Sequence, residues 1–254
     1  MSSQVAINLG KVVFWPVNLQ FKTYAYVMSD PQFLNSFRNS LVITVVGTVL
    51  ALTLTVMIAY PLSKPKLRGR KFFLLCFVFI MLFSGGMVPN YLLYKTLGMI
   101  NTLWALIVPG LMSVFNILLV KTFFEGLPES VEESARIDGA SNFTVLFRIV
   151  LPMAMPVLAA VGLFFAVSYW NSYFSGVLYI TKPHLKPLQL YLYELISQST
   201  PDSGGEIDVE RMMNIDPESI RATTIILSTL PILCLYPFLQ KYFVKGITIG
   251  SVKG

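Results

Sequence analysis

Five stretches of this chain carry no Asp, Glu, Lys, Arg or His: residues 39–63, 72–94, 96–120, 149–181 and 222–240, which are 25, 23, 25, 33 and 19 residues long. A helix needs about 20 apolar residues to cross the hydrocarbon of a bilayer, so each stretch is long enough to span once. The apolar residues are not spread as a soluble core would spread them but gathered into blocks bounded by Lys or Arg. Only 13% of the 254 residues are charged and 55% are hydrophobic, where soluble domains carry about 25% charge. Continuous runs exclude a membrane β-barrel, whose strands alternate over about ten residues. Helices satisfy their own backbone groups in lipid. The chain is therefore expected to be an all-α integral membrane protein with five transmembrane helices.

Orientation follows from the basic residues. The segment SKPKLRGRK, residues 63–71, puts five of them into one short loop, which the positive-inside rule assigns to the cytoplasm. Alternation then places Lys95 outside, 121–148 inside, 182–221 outside and the carboxyl terminus from Lys241 inside, with 11 Lys and Arg inside against 8 outside. Residues 1–38 hold no long apolar run, read as neither signal peptide nor span, and fall outside. The net charge of +6 is explained by basic loops facing anionic lipid and needs no nucleic acid. Cys76 and Cys234 lie inside apolar runs and read as small buried hydrophobes, so neither a disulfide nor a metal site is implied. His184 stands alone, without a second ligand. An intramembrane enzyme would need paired carboxylates, or a nucleophile with its base, at bilayer depth. The five runs contain no such groups, so no catalytic residue is expected, and a proton-coupled carrier is disfavoured on the same ground.

No repeat, low-complexity tract or second soluble domain interrupts the chain. Residues 1–38 read as an extracellular segment, 39–245 as one membrane domain and 246–254 as a cytoplasmic tail. Breakers mark the joints of the spans: Pro61 and Pro65, Gly85-Gly86 with Pro89, Pro109-Gly110, Pro152 and Pro156, then Pro231 and Pro237. Proline inside a span kinks the helix and frees carbonyls, which serves ordinary packing as well as a substrate site. The external loop, 171–220, is expected to hold a short amphipathic helix near 188–197 and then a solvated loop over 199–210.

One cytoplasmic segment stands out, LPESVEESARIDGASNFTVLFRIVLP, residues 127–152. Pro128 suits a helix start, and Glu129, Glu132 and Glu133 complement the dipole of a first turn. Asp138-Gly139 is a turn pair in which Gly supplies a backbone angle other residues avoid. Ser141 is placed to cap a second short helix carrying Phe143, Leu146 and Phe147. The expected product is a helix-turn-helix elbow on the membrane face, carboxylates exposed on one side and apolar residues anchoring the other. Such an elbow is shaped to be held by another protein; a plain charged loop is the alternative.

These residues resemble a known family. Glu133-Ser134-Ala135, Gly139, Ile149 and Leu151-Pro152 match the spacing of the "EAA" signature of ABC importer permeases, with Ser134 where Ala is usual. ARIDGA at 135–140, WNSYF at 170–174 and the tail QKYFVKGITIGSVKG at 240–254 are similar to the maltose-type sugar branch, most of all to Gram-positive permeases for complex oligosaccharides and polysaccharide fragments. The resemblance implies a type I ABC importer bundle, usually of six spans, with the first of them missing here.

It also implies roles. The elbow would fit a groove on a cytoplasmic ATPase through Glu132, Glu133, Ala135, Asp138, Gly139, Ala140, Leu151 and Pro152. Glu133 would make the charged contact, Gly139 would hold the bend, and the small residues would allow close approach. Gly250, Ser251 and Gly254 of the tail would reach the ATPase interface. The chain has no Gly-rich loop ending in Lys-Ser or Lys-Thr, so ATP and Mg would belong to two partner ATPase subunits and no cofactor to this chain. The other implied partners are a second homologous permease forming a heterodimer, an extracellular or periplasmic solute-binding protein, membrane lipid and an oligosaccharide. The implied location is the bacterial cell membrane, multi-pass, with the carboxyl terminus in the cytoplasm. Asn90, Tyr91, Asn116, Trp170, Asn171 and Tyr173 offer the rings and amides that hold sugars. Trp and Tyr at a membrane boundary also serve as interfacial belt residues, and Asn116 would equally make an interhelical hydrogen bond. Permeases of the same superfamily for amino acids, phosphate or polyamines are the alternative, against which the sugar-branch tail argues.

Overall fold

The computed structural model describes residues 22–198, 222–223, 225–231 and 233. Among them every regular element is helical. The described residues fall into two compact units, one of residues 22–41 with those from Ser172 onward, the other of residues 42–171.

Helix α1, Lys22–Ser29, precedes α2, Pro31–Ser63. The long helix begins at Pro31 and not at residue 39, because its start is set by polar chemistry. The Asp30 carboxylate accepts the Gln32 N–H at 2.9 Å, and Pro31 supplies a pre-set φ at the first helical position. At 1.5 Å per residue the 33 residues of α2 extend about 50 Å, well beyond the ~30 Å of hydrocarbon a span must cover. Its buried positions Ser36, Ser40, Ile43, Gly47, Ala51, Thr55, Ala59 and Leu62 recur every three or four residues and are mostly small, which lets helix backbones approach closely.

The next three charge-free runs are not straight spans. In 72–94, α3 (Arg70–Leu82) and α4 (Met87–Thr96) meet at 109°. Gly85-Gly86 breaks the run, and Gly86 sits at φ 86°, a conformation open to glycine. Neither helix buries a side chain, and Cys76 on α3 is only half-buried. In 96–120 the first residues are turns, with Gly98 and Asn101 at positive φ. Helix α5 (Trp104–Ile107) then passes through a tight turn at Val108–Gly110 into α6 (Val114–Glu125), bent by 47°. In 149–181 the bend is 82°, between residues 142–153 and α10 (Met155–Trp170), where Pro152 and Pro156 flank Ala154. A widened π turn at Leu146–Val150 precedes Pro152 and gives room where the proline ring would otherwise press on the carbonyl four residues back. Thus the described residues hold one helix able to cross alone and up to three bent pairs that could each make one span. Of the fifth run, residues 222–223, 225–231 and 233 are helical, and the rest lies outside the described residues.

In the unit that holds residues 42–171, Tyr169 of α10 is only 4% exposed. Its hydroxyl donates to the Ile107 carbonyl at 2.9 Å. That carbonyl is available because the turn after α5 pairs the Leu111 N–H with Val108.

In the other unit, α11 (Tyr173–Tyr179) and α12 (Leu188–Gln198) pack together, Gly176 lying against Pro187 and Leu190. The sequence expected α12 near 188–197; the solvated loop expected at 199–210 lies outside the described residues. Segment 183–188 is clasped by α2. Asn39 Nδ2 donates to the carbonyls of His184 at 2.8 Å and Lys186 at 3.2 Å, and Ser40 Oγ accepts the Leu188 N–H at 2.7 Å. Ser40 thus satisfies an orphan donor at the start of α12. Asn39→Leu is expected to free this segment at a cost of about 1–3 kcal/mol. Limited proteolysis should then cut residues 182–198 about tenfold faster, a ratio that corresponds to ~1.4 kcal/mol. An unchanged cleavage rate would show that the clasp does not hold the segment.

Candidate functional site

The elbow is built by local chemistry at the places the sequence marks. Pro128, at φ −62° and ψ 120°, precedes α7, Glu129–Ile137, whose first turn carries Glu129 and Glu132 and whose last carries Arg136. The Ala140 N–H returns to the Ala135 carbonyl at 2.9 Å and the Gly139 N–H to Arg136 at 3.0 Å. That pair of bonds is a Schellman closure, and it needs the left-handed φ of 82° at Gly139. Ser141 then caps α8, Asn142–Val145, by accepting the Thr144 N–H at 3.2 Å. The chain continues through the π turn into α9, Leu151–Met153.

Orientation of the side chains departs from expectation in two ways. Glu132, expected among exposed carboxylates, faces inward with its side chain 12% exposed. Lys64, just past the end of α2, holds both of its oxygens at 2.5 and 2.6 Å. Arg136 Nη2 lies 3.7 Å away and the Tyr60 hydroxyl donates at 3.4 Å. A carboxylate pointing at a cation on another helix loses less by burial than one without a partner. Phe143 and Phe147, expected as anchors, are 71% and 59% exposed, as is Ile137 at 86%; Val145, Leu146 and Val150 are the buried anchors. Glu133, Asp138 and Gly139 are exposed on the elbow, as are the apolar Ile137, Phe143 and Phe147. Ala135, Ala140 and Leu151 are half-buried and Pro152 is exposed. Between α7 and residues 60–67 runs a groove of about 690 Å³ lined by Tyr60, Lys64, Lys66, Glu129, Glu132 and Arg136, among others.

Tyr60 and Lys64 escaped the sequence analysis, although one signal was present: Glu132 stands four residues before Arg136, on one helix face. A second cluster that also escaped it braces the neighbouring ends. Arg70 pairs with Glu125, which also takes Lys121 at 2.8 Å, and Arg70 Nε donates to the Leu62 carbonyl at 2.9 Å.

The candidate sugar contacts are spread over several elements. Asn90 and Tyr91 lie on α4, exposed and half-buried. Asn116 is buried in the first turn of α6. Trp170 is buried at the end of α10, whose C-cap is the exposed Asn171. Tyr173 of α11 has its ring 4.6 Å from that of Tyr193 on α12. The tail residues Gly250, Ser251 and Gly254 lie outside the described residues.

Comparison with known proteins bears on this arrangement. Residues 52–249 match the family described as "Binding-protein-dependent transport system inner membrane component". The chain is 46% identical to Protein LplC of Bacillus subtilis (strain 168) over 244 residues, covering 94% of this chain and 81% of that one. It is 39% identical over 247 residues to the polygalacturonan/rhamnogalacturonan transport system permease protein YtcP of the same organism, covering 96% and 85%. Its fold is similar to a chain in the crystal structure of a bacterial ABC transporter involved in the import of the acidic polysaccharide alginate. There the TM-score is 0.88 at 34% identity, over 95% of this chain and 86% of that one. The family match spans most of the chain. The chain is a member of the binding-protein-dependent transport system inner membrane component family, a membrane-embedded ABC transporter permease and so a transport component, not a catalyst.

Proposed function

We propose that this chain forms half of the translocation path of an ATP-driven importer for an oligosaccharide or polysaccharide fragment, and that its elbow docks on a cytoplasmic ATPase. The observation that carries the docking is the free face of α7 and α8. A carboxylate, Glu133, and a backbone turn at Gly139 are exposed there, and so are Ile137 of α7 and Phe143 of α8, at 86% and 71%. Apolar side chains concentrated on a short polar elbow mark a contact surface. The sugar assignment is supported by the substrates in the names of two relatives, polygalacturonan and rhamnogalacturonan for one and alginate for the other.

In this reading a second permease completes the path, a binding protein delivers the sugar from outside, and two ATPase subunits bind ATP and Mg. ATP-driven closure of the ATPases would push the elbow and tilt the bundle, opening the path to alternate sides. The basic loop at 63–71 supports a cytoplasmic side for the elbow and the carboxyl terminus. Asn90, Tyr91, Asn116, Trp170, Asn171 and Tyr173 are the proposed sugar contacts, and Gly250, Ser251 and Gly254 the proposed tail contacts.

Co-expression with the partner permease and the ATPase, followed by detergent extraction and pull-down, tests the docking. Glu133→Ala is expected to lower ATPase recovery at least tenfold, since losing one partner of a desolvated charge pair costs about 2–5 kcal/mol. Equal recovery from the variant, or none from the wild type, would sink this assignment.

A further inference from the structure

A push on the outer face of α7 serves a transporter only if it reaches a helix that crosses the membrane. The covalent routes are poor for this. Residues 126–128, a Gly-Leu-Pro link, join α7 to α6, and the left-handed turn at Gly139 joins it to α8. Both links interrupt the helix. The inner face offers a stiffer route. Both Glu132 oxygens sit on Lys64 Nζ at 2.5 and 2.6 Å, with the carboxylate side chain 12% exposed and the lysine 27%. Lys64 follows directly on Ser63, the last residue of α2. Its ammonium lies 4.7 Å from the centroid of the Tyr60 ring, which is set edge-on to Phe124 at 6.2 Å. Helix α2 is, among the described residues, the one long and apolar enough to cross a bilayer unaided.

We propose that the Lys64–Glu132 ion pair is the strut that carries elbow movement into α2, so that both are positioning residues for alternating access, and Glu132, which the resemblance put in the ATPase contact, turns away from it to Lys64. The inference rests on the docking reading and adds the element that receives the push. An exposed pair trades partners with water readily. This pair is largely out of water, and pulling it apart would strand a carboxylate, so it holds under load. The neighbouring Glu133 lines the same groove but is exposed, which leaves it within reach of another protein.

The test uses the assembled importer in proteoliposomes, with Cys76 and Cys234 replaced by serine and a nitroxide attached at Asn35→Cys on the exposed outer part of α2. Electron paramagnetic resonance spectra are compared without nucleotide and after trapping with ATP and vanadate. The wild type is expected to show an ATP-dependent spectral change. Glu132→Gln and Lys64→Met should each reduce it at least fivefold while the ATPase still co-purifies. The double variant should be no worse than either single one, the signature of a shared pairwise interaction. A spectral change that persists in both single variants overturns the strut alone, as does a wild-type α2 that does not respond, or single losses that add. An ATPase that fails to co-purify with the wild type overturns the docking reading and the strut together.

Discussion

Replacing Gly47 by alanine is expected to destabilise the membrane bundle by about 1–3 kcal/mol, the usual cost of overpacking a tight interior. A Cβ at Gly47 would stand 2.7 Å from two ring carbons of Tyr169, and one at Gly110 would stand 2.9 Å from the same ring. The ring lies between two glycines and is tethered by its hydroxyl to the Ile107 carbonyl, so it cannot turn aside without giving up that bond. The measurement is the Tm of the detergent-solubilised importer. Tyr169→Leu should cost stability by itself yet recover part of the loss when combined with Gly47→Ala, because the shorter side chain vacates the clash. A Gly47→Ala variant that melts with the wild type would show that the slot has slack.

The second large effect is expected at Gly139. Proline there cannot adopt φ 82°, and it removes the N–H that closes on the Arg136 carbonyl. Gly139→Pro should therefore break the Schellman closure and lower both ATPase recovery and ATP-driven uptake at least tenfold. Gly139→Ala is the graded control. Nothing lies within 4 Å of the added Cβ, so its cost is the left-handed backbone alone, about 1–2 kcal/mol. An intermediate loss with Ala and a near-complete loss with Pro would tie function to the bend. Equal tolerance of both would separate the bend from coupling.

The elbow was legible because its parts are local. Pro128, the Asp138-Gly139 turn and the Ser141 cap each act on backbone within a few residues, and the helix near 188–197 followed from the same short-range pattern. Its faces were not legible. Glu132 and Glu133 are neighbours of the same type, and what separates them is Lys64, 68 positions earlier in the chain. Of the expected anchors Phe143, Leu146 and Phe147, Leu146 is buried, together with Val145 and Val150 rather than the two rings. The breaks in the spans were marked by Gly85-Gly86, Pro109-Gly110 and Pro152 with Pro156. The bends of 109°, 47° and 82° were not, since glycine and proline permit a bend while the packing around it sets the angle.

By itself the sequence determined that this chain lives in a bilayer as helices, which way its basic loops are expected to face, and where its elbow turns. Those outcomes depend on solvent partition and on backbone preferences that act over a turn or less. The tertiary structure alone decided which carboxylate turns inward to Lys64 and that Tyr169 threads between Gly47 and Gly110. Both depend on contacts between residues distant in the chain, and only the packing of one helix on another brings them within reach.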